Sequence, residues 1–214
     1  MKLAQNIILL LILMFPPALV VMADGEPPAG SILDRFTPEQ KEKLLAGEAI
    51  YESVIEETPE GKDRAHGRTV VIVNKPIKEC FRIFREFDKQ YLWYPRMTTS
   101  KVLEQKDNTV LIYYELDYVI TTVRYTHILT IDPDRHQVSF TIDPTGMNDV
   151  KATDGFYRFD KIDENRSLFT YEVTKMDAGV KIPDFIREFI SAKDLPGIAI
   201  SLKKWIESGG KWKK

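Results

Sequence analysis

The stretch Asn74–Met97, NKPIKECFRIFREFDKQYLWYPRM, decides how the rest of the sequence is interpreted. Its apolar residues recur at i, i+3, i+4 and i+7, which is the spacing of a helix that buries one face. These residues are Ile77, Cys80, Phe81, Phe84 and Phe87. Pro76 suits the first turn, where a helix does not need the missing N–H group. The pattern predicts a helix from Pro76 that runs into an aromatic loop closed by Pro95.

The composition indicates one folded domain. The 214 residues are 43% hydrophobic and 29% charged, with a formal net charge of -2, which is ordinary for a chain with a full core. No basic stripe interleaved with aromatic residues occurs, which argues against a nucleic-acid partner. The single cysteine, Cys80, cannot form an internal disulfide, so we predict a small core residue there.

The first residues have the pattern of an export signal. Lys2 precedes a continuous apolar run over Ile7–Phe15, and Val21-Met22-Ala23 places small residues where a signal peptidase cleaves. We therefore expect a signal peptide over residues 1–23, cleaved after Ala23, and a periplasmic mature protein. An uncleaved anchor is the alternative. Residues 24–36 contain many Pro, Gly and acidic residues and predict a linker.

Helix and strand patterns follow in an order typical of the α+β class. Thr37-Pro38-Glu39-Gln40 has the form of a capping box and predicts a short helix to about Ala46. Two strands are expected before the helix at Pro76 and six after it. The segments are 49–56, 67–73, 99–105, 109–120, 122–131, 137–142, 155–160 and 168–175. Short turns make consecutive strands antiparallel neighbours, and their alternation predicts a sheet with one covered face.

The chain is predicted to end in helix. Pro183–Ser191 offers a first apolar piece, and Asp194 caps a second piece that Gly209-Gly210 terminates. The apolar stripe of the second piece is Leu195, Ile198, Ala199, Leu202, Trp205 and Ile206. This amphipathic helix is the natural cover for the apolar face of the sheet.

Two segments in this order resemble the START-like, or SRPBCC, helix-grip superfamily of lipid-transfer domains, polyketide cyclases and coenzyme Q-binding proteins. In many members an Asp, a Tyr, an aromatic residue and a Pro follow the first long helix, as in Phe87–Met97, and Gly155–Phe159 is similar to their Gly-x-aromatic strand. The resemblance covers residues 37–208 and leaves 209–214 as a basic tail. It implies a curved antiparallel sheet wrapped around a long C-terminal helix, with an internal apolar cavity between them.

His127 is the strongest candidate for a functional side chain. It shares the predicted inward face of its strand with Tyr125 and Leu129. Three roles are open: an anchor for a ligand hydroxyl or carbonyl, a general base, or a satisfied core histidine. Tyrosines on inward faces either fill the core or bind an amphipathic ligand. The predicted ligand-binding residues are His127, Tyr125, Tyr114, Tyr118, Phe140, Tyr157, Tyr171, Phe189, Trp93 and Met97.

Two further groups leave alternatives open. The aromatic loop with Trp93, Tyr94 and Met97 is either a fixed corner or a gate at the cavity mouth. The opposite strand faces carry Glu115, Asp117, Arg124 and Arg158. We predict a solvated outer surface for these charges, although a shift of one residue in the register would turn them inward.

The leading functional hypothesis is an exported carrier for a hydrophobic small molecule such as a lipid, a sterol-like molecule or a quinone. The alternatives are a cyclase or aromatase that uses His127 and a tyrosine, and a cell-envelope interaction module without a cavity. No cofactor and no metal site are predicted, because the histidines lack metal-binding spacing. The tail Lys211–Lys214 either touches an anionic membrane transiently or is solvated. The oligomeric state stays open.

Overall fold

The computed structural model describes residues 30–57, 63–118, 121–177 and 194–214. The predicted signal peptide, residues 24–29 of the predicted linker and the helix predicted over Pro183–Ser191, with Phe189, lie outside the described residues. Among the residues that are described, no helix is both long enough and apolar enough to cross a membrane. Ser31–Lys214 form one compact unit.

The described helices are short. The α-helices are α1 (Pro38–Leu45), α2 (Ile77–Phe84) and α3 (Asp194–Glu207), and the 3₁₀ segments are Ile32–Arg35 and Phe87–Leu92. The predicted capping box of α1 is confirmed, since the Thr37 hydroxyl accepts from the Gln40 N–H at 3.2 Å and the Gln40 amide oxygen accepts from the Thr37 N–H at 3.0 Å. These two bonds satisfy N–H groups that a helix start leaves without partners.

Eight strands form one antiparallel sheet. They are β1 (Ile50–Glu57), β2 (Asp63–Val73), β3 (Met97–Lys106), β4 (Thr109–Tyr118), β5 (Thr121–Asp132), β6 (Gln137–Ile142), β7 (Ala152–Lys161) and β8 (Ser167–Asp177). Their spatial order is β1-β2-β8-β7-β6-β5-β4-β3. Strands β3 to β8 are therefore a meander, and the β1–β2 hairpin is added beside β8. The α+β class is confirmed, and the six strands that follow α2 correspond to the six segments predicted there.

Both faces of the sheet are covered at β2 and β8, so the expectation of one covered face is wrong there. Val71 and Val73 belong to the main core, whereas Val70, Ile72 and Leu168 belong to a second cluster. The other buried members of that cluster are Leu33, Phe36 and Leu44, from the N-terminal segment. Four successive apolar residues in β2 are the signal that was missed, because continuous apolar runs are typical of strands buried on both faces.

Helix α2 ends at Phe84, about one turn earlier than its apolar pattern predicts. Phe87 lies in the 3₁₀ segment instead, with its ring edge-on to that of Phe84 at 6.0 Å. Phe84 also packs on Tyr157 and Phe159 of β7, at ring-centroid distances of 5.0 and 5.6 Å. The apolar face of α2 therefore lies on the middle of the sheet.

Helix α3 buries the stripe that its sequence predicts, since all six of the predicted residues are at most 1% exposed. It packs mainly on β2, with further contacts to β1, β8 and α2. The Lys203 ammonium donates to the Ile72 carbonyl at 2.7 Å, and the Glu207 carboxylate accepts from the Asn74 N–H at 2.8 Å. These bonds fix the helix to the end of β2.

The β6–β7 connection is more ordered than the loose link that its sequence suggests. Because β6 pairs only with the second half of β5, the first half needs other hydrogen-bond partners. Asn148 supplies a side-chain oxygen to the Thr126 N–H, and Asp149 supplies one to the Arg124 N–H, each at 2.8 Å. Side chains of the β6–β7 connection thus take the place of a neighbouring strand along the first half of β5.

Replacing Gly155 by Ala is expected to destabilise the fold. A Cβ there would lie 2.0 Å from the Glu172 carbonyl oxygen and 2.5 Å from Phe140 Cζ, and overpacking of this kind costs roughly 2–3 kcal/mol. The matched control is Gly197→Ala in α3, where nothing lies within 4 Å of the added carbon. That control should stabilise by up to about 1 kcal/mol. Chemical denaturation measures both, and a Gly155→Ala variant as stable as wild type would contradict the close approach.

Candidate functional site

A cavity of about 30 Å³ lies between strands β4, β5, β7 and β8 and the corner that leads into β3. Its lining is Tyr94, Met97, Tyr114, Leu116, Tyr118, Val123, Tyr125, His127, Val150, Thr153, Tyr157, Tyr171 and Met176. We call this the tyrosine-lined cavity. Its volume suffices for about one or two water molecules. The predicted internal cavity is therefore present but small.

Most of the predicted ligand-binding residues meet at this cavity. Met97, Tyr114, Tyr118, Tyr125, His127, Tyr157 and Tyr171 all line it. They come together because antiparallel pairing places inward residues of neighbouring strands opposite each other, as with Tyr114 and Tyr125. Their role in binding stays a prediction.

The other predicted residues have different positions. Phe140 stacks against the His127 ring at 5.0 Å and supports it without lining the cavity. Trp93 is 1% exposed, packs against Tyr94 at 5.5 Å and does not line the cavity either. Phe189 lies outside the described residues.

Several lining residues were not predicted to bind. Leu116 and Val123 share inward faces with the predicted tyrosines, so alternation alone could have found them. Met176 could not be found that way, because Gly155 pairs with Val173 whereas Asp154 pairs with Lys175. The extra residue in β8 is a bulge, which reverses inward and outward positions beyond it.

The final helix does not roof the cavity along its described length. None of the residues of α3 contributes to the lining, because the helix packs on β2 and not over β4 and β5. The cavity lies instead beside the corner Trp93–Met97, which contributes Tyr94 and Met97.

The aromatic corner is packed rather than open. Trp93, Tyr94 and Met97 are each at most 3% exposed. The Lys214 ammonium donates to the Tyr94 carbonyl at 2.6 Å and also to the Met97 carbonyl. Trp212 packs against the main core beside it. Of the two interpretations of this loop, the structure therefore shows the fixed corner.

His127 is the polar centre of the cavity. It is 4% exposed, and its Nε2 atom has no hydrogen-bond partner among the described residues. The rings of Tyr125 and Tyr114 lie 4.8 and 5.6 Å from its own. Loss of water around the ring lowers the pKa of His127 to about 3, so its imidazole is neutral near pH 7.

The hydroxyls of four cavity tyrosines are engaged with neighbours and stay protonated. Tyr114 donates to the buried Gln90 amide oxygen at 2.7 Å. The hydroxyls of Tyr94 and Tyr157 interact with that of Tyr171, and the Tyr157 and Tyr171 rings stack at 4.6 Å. Burial raises the pKa of each of these tyrosines above its ordinary value.

Charged residues lie on the outer face, as predicted. Glu115 and Arg124 are cross-strand partners, with a carboxylate oxygen 3.5 Å from the guanidinium Nε. Arg158 lies 3.1 Å from the Asp160 carboxylate. The part of the chain that the structure describes contains no group of three His, Cys, Asp or Glu side chains placed to hold a metal.

The neutral state of His127 predicts a pH-dependent stability. An unfolded chain takes up a proton below about pH 6.5, but the folded protein does not until about pH 3, so stability is lost as the pH falls through this window. At about pH 5 the loss is about 2 kcal/mol. A His127→Gln variant should lose that much less stability between pH 7 and about pH 5.

Denaturant titrations of both proteins at the two pH values provide the measurement. Ile112→Val is the matched control, because Ile112 is the buried cross-strand partner of His127. It should destabilise by about 1 kcal/mol at either pH and keep the wild-type pH dependence. Equal pH dependence in the wild type and in His127→Gln would mean that the histidine is not held neutral by burial.

Comparison with known proteins identifies the fold. No protein-family model and no curated protein matches the sequence. The structure is similar to the Zhui aromatase/cyclase from Streptomyces sp. R1128, with a TM-score of 0.56, 16% identity, and coverage of 67% of this chain and 94% of that chain. It is also similar to a STAR-related lipid transfer protein fragment from Xanthomonas axonopodis, with a TM-score of 0.57, 14% identity, and coverage of 72% and 98%.

A third similar structure is a START superfamily protein from Mycobacterium smegmatis, with a TM-score of 0.55, 10% identity, and coverage of 76% of this chain and 99% of that chain. Identities this low show the fold alone, because one fold hosts many functions. The antiparallel sheet and C-terminal helix of this chain therefore form a START-like helix-grip fold.

Proposed function

We propose that this protein binds a hydrophobic small molecule in the tyrosine-lined cavity and carries it without converting it. The observation that carries this proposal is the buried Nε2 atom of His127, which has no partner among the described residues. A ligand hydroxyl or carbonyl at that atom would remove the cost of an unsatisfied buried group. A lipid, a sterol-like molecule or a quinone combines such a group with an apolar body.

The chemistry of the lining supports binding over the cyclase or aromatase alternative. General acid–base catalysis is most efficient when the pKa of the catalytic group lies near the working pH. Burial lowers the pKa of His127 to about 3 and raises those of Tyr114 and Tyr157. As arranged, the imidazole is a weak base and the phenols are weak acids, whereas both can still form hydrogen bonds.

The structural neighbours point in the same direction. One similar structure is a STAR-related lipid transfer protein and another is an aromatase/cyclase. Both are consistent with a fold that holds a hydrophobic ligand between a sheet and a helix. The choice of carrier over enzyme comes from the side chains of this chain and not from its neighbours.

The small volume favours a second candidate, the interaction module with a filled core. A cavity of about 30 Å³ cannot hold a lipid, so a ligand must move lining side chains apart. The rim at which such movement would begin consists of the more exposed lining residues. These are Tyr125, which is partly exposed, and Tyr118, Val123, Thr153, Tyr157 and Met176, which are each 8% exposed. The two candidates therefore differ in whether the side chains that line the cavity move apart to admit a ligand.

A pair of matched substitutions on β5 tests the proposal. Val123 faces the cavity, while Ile128 lies on the opposite face of the same strand. Val123→Phe should fill the rim and weaken binding of a hydrophobic fluorescent probe by roughly tenfold or more. Ile128→Phe adds a similar ring outside the cavity and should leave binding unchanged. Probe titration and native mass spectrometry of the purified protein provide the measurements.

Two outcomes would contradict the proposal. No binding of probe or extracted lipid at micromolar concentrations would favour the filled-core module. Equal weakening by Val123→Phe and Ile128→Phe would show that the probe binds elsewhere. Thermal unfolding of both variants separates lost binding from lost folding.

We also propose that the protein is exported and cleaved after Ala23, as the sequence pattern of residues 1–23 suggests. N-terminal sequencing of periplasmic protein tests this, with Asp24 as the expected first residue. Transient membrane contact through the tail is a weaker proposal, because Trp212 packs on the core and Lys214 binds backbone carbonyls. Lys211 and Lys213 are the exposed residues left to make such a contact.

A further inference from the structure

We infer that the tyrosine-lined cavity selects an uncharged ligand, one that places a hydroxyl or carbonyl beside His127 and carries no carboxylate, phosphate or ammonium into the protein. This inference rests on the proposed function, in which a hydrophobic ligand places a hydroxyl or carbonyl at His127, and it adds that the buried part of the ligand carries no charge. It restricts the expected ligands to hydrophobic molecules whose buried polar group is uncharged.

The lining provides no counter-charge among the described residues. Its side chains are aliphatic, thioether, phenolic or hydroxyl, apart from the one imidazole. An ion moved from water into such a site keeps its desolvation cost without an opposite charge to offset it. The nearest strand charges are paired on the outer face, where Glu115 accepts from the Thr99 and Tyr113 hydroxyls, both at 2.8 Å.

His127 does not act as a cation for an anionic ligand. Phe140 stacks on one side of its ring, and Tyr125 and Tyr114 pack around it. A charged imidazole would lose its water shell without gaining a carboxylate, and burial accordingly lowers the pKa of His127. The neutral ring keeps one donor and one acceptor nitrogen. A ligand hydroxyl matches Nε2 in either tautomer, since it can donate or accept.

Four of the phenols that line the cavity are less available to a ligand than His127. The Tyr114 hydroxyl donates to Gln90, which is 2% exposed. Those of Tyr94 and Tyr157 interact with Tyr171. A ligand would have to break one of these contacts to bind one of these four phenols, whereas Nε2 of His127 would gain a first partner.

Two cations lie near the cavity without lining it. The Arg96 guanidinium lies over the Tyr118 ring at 5.1 Å, and the Lys214 ammonium binds the Tyr94 and Met97 carbonyls. Neither belongs to the lining.

A series of ligands with one hydrocarbon chain tests the inference on the full-length wild-type protein. Dodecan-1-ol, dodecanoate and dodecylammonium are compared near pH 7.5 by displacement of a hydrophobic fluorescent probe. The alcohol is kept below its solubility limit and the two ions below their critical micelle concentrations. The alcohol should bind at least about tenfold more tightly than either ion. Only the ions would bury a charge whose desolvation cost no opposite charge offsets. Dodecanoate that binds as tightly as the alcohol would overturn the inference while leaving the proposed function intact.

A variant pair then locates the anchor. His127→Leu removes the polar atom and should weaken dodecan-1-ol binding by roughly tenfold, the value of one good hydrogen bond. Phe140→Leu changes the packing beside His127 without removing it and should weaken binding less. Unchanged binding by His127→Leu would overturn His127 as the anchor. If no member of the series binds the wild type, the proposed function fails and the inference fails with it.

Discussion

Exclusion of water from the inner face of one eight-stranded sheet is the constraint on which the structure depends. Among the described residues, three separate pieces cover that face. Helix α3 covers β2, helix α2 places Phe84 on β7 and β8, and the corner Trp93–Met97 closes the side of β3 and β4. The tyrosine-lined cavity lies where these covers do not fully meet, so its position follows from the packing of the core.

Exclusion of water also determines the pKa values of the polar groups in the cavity. Desolvation disfavours charged forms, so it lowers the pKa of His127 and raises the pKa of Tyr94, Tyr157 and Tyr171. A single physical cause therefore leaves every one of these groups neutral. These groups can orient a ligand by hydrogen bonds, but groups whose pKa lies far from 7 transfer protons poorly at neutral pH. This packing is the physical basis of the proposal that the protein holds a molecule without converting it.

Much of the inner face could be predicted because strand alternation is strictly local. Tyr114, Tyr125 and His127 were assigned inward from a period of two, and the pairing of β4 with β5 places Tyr114 opposite Tyr125. Features that depend on distant partners could not be predicted. The bulge that turns Met176 inward arises from the pairing of β7 with β8. The choice of β2 as the surface for α3, which leaves the cavity unroofed by that helix, depends on tertiary packing.

The corner also decides where a ligand would enter. Its backbone is held from two sides, since the Ser100 hydroxyl accepts from the Tyr91 N–H at 3.1 Å and Lys214 binds the carbonyls of Tyr94 and Met97. Opening there would break these bonds and expose Trp93, which is 1% exposed. The Val123 side chain, on another side of the cavity, makes apolar contacts only, and such contacts are individually weak. The end of Asn74–Met97 is thus a fixed wall, and we propose the side of the cavity at Val123 as the entrance for the proposed ligand.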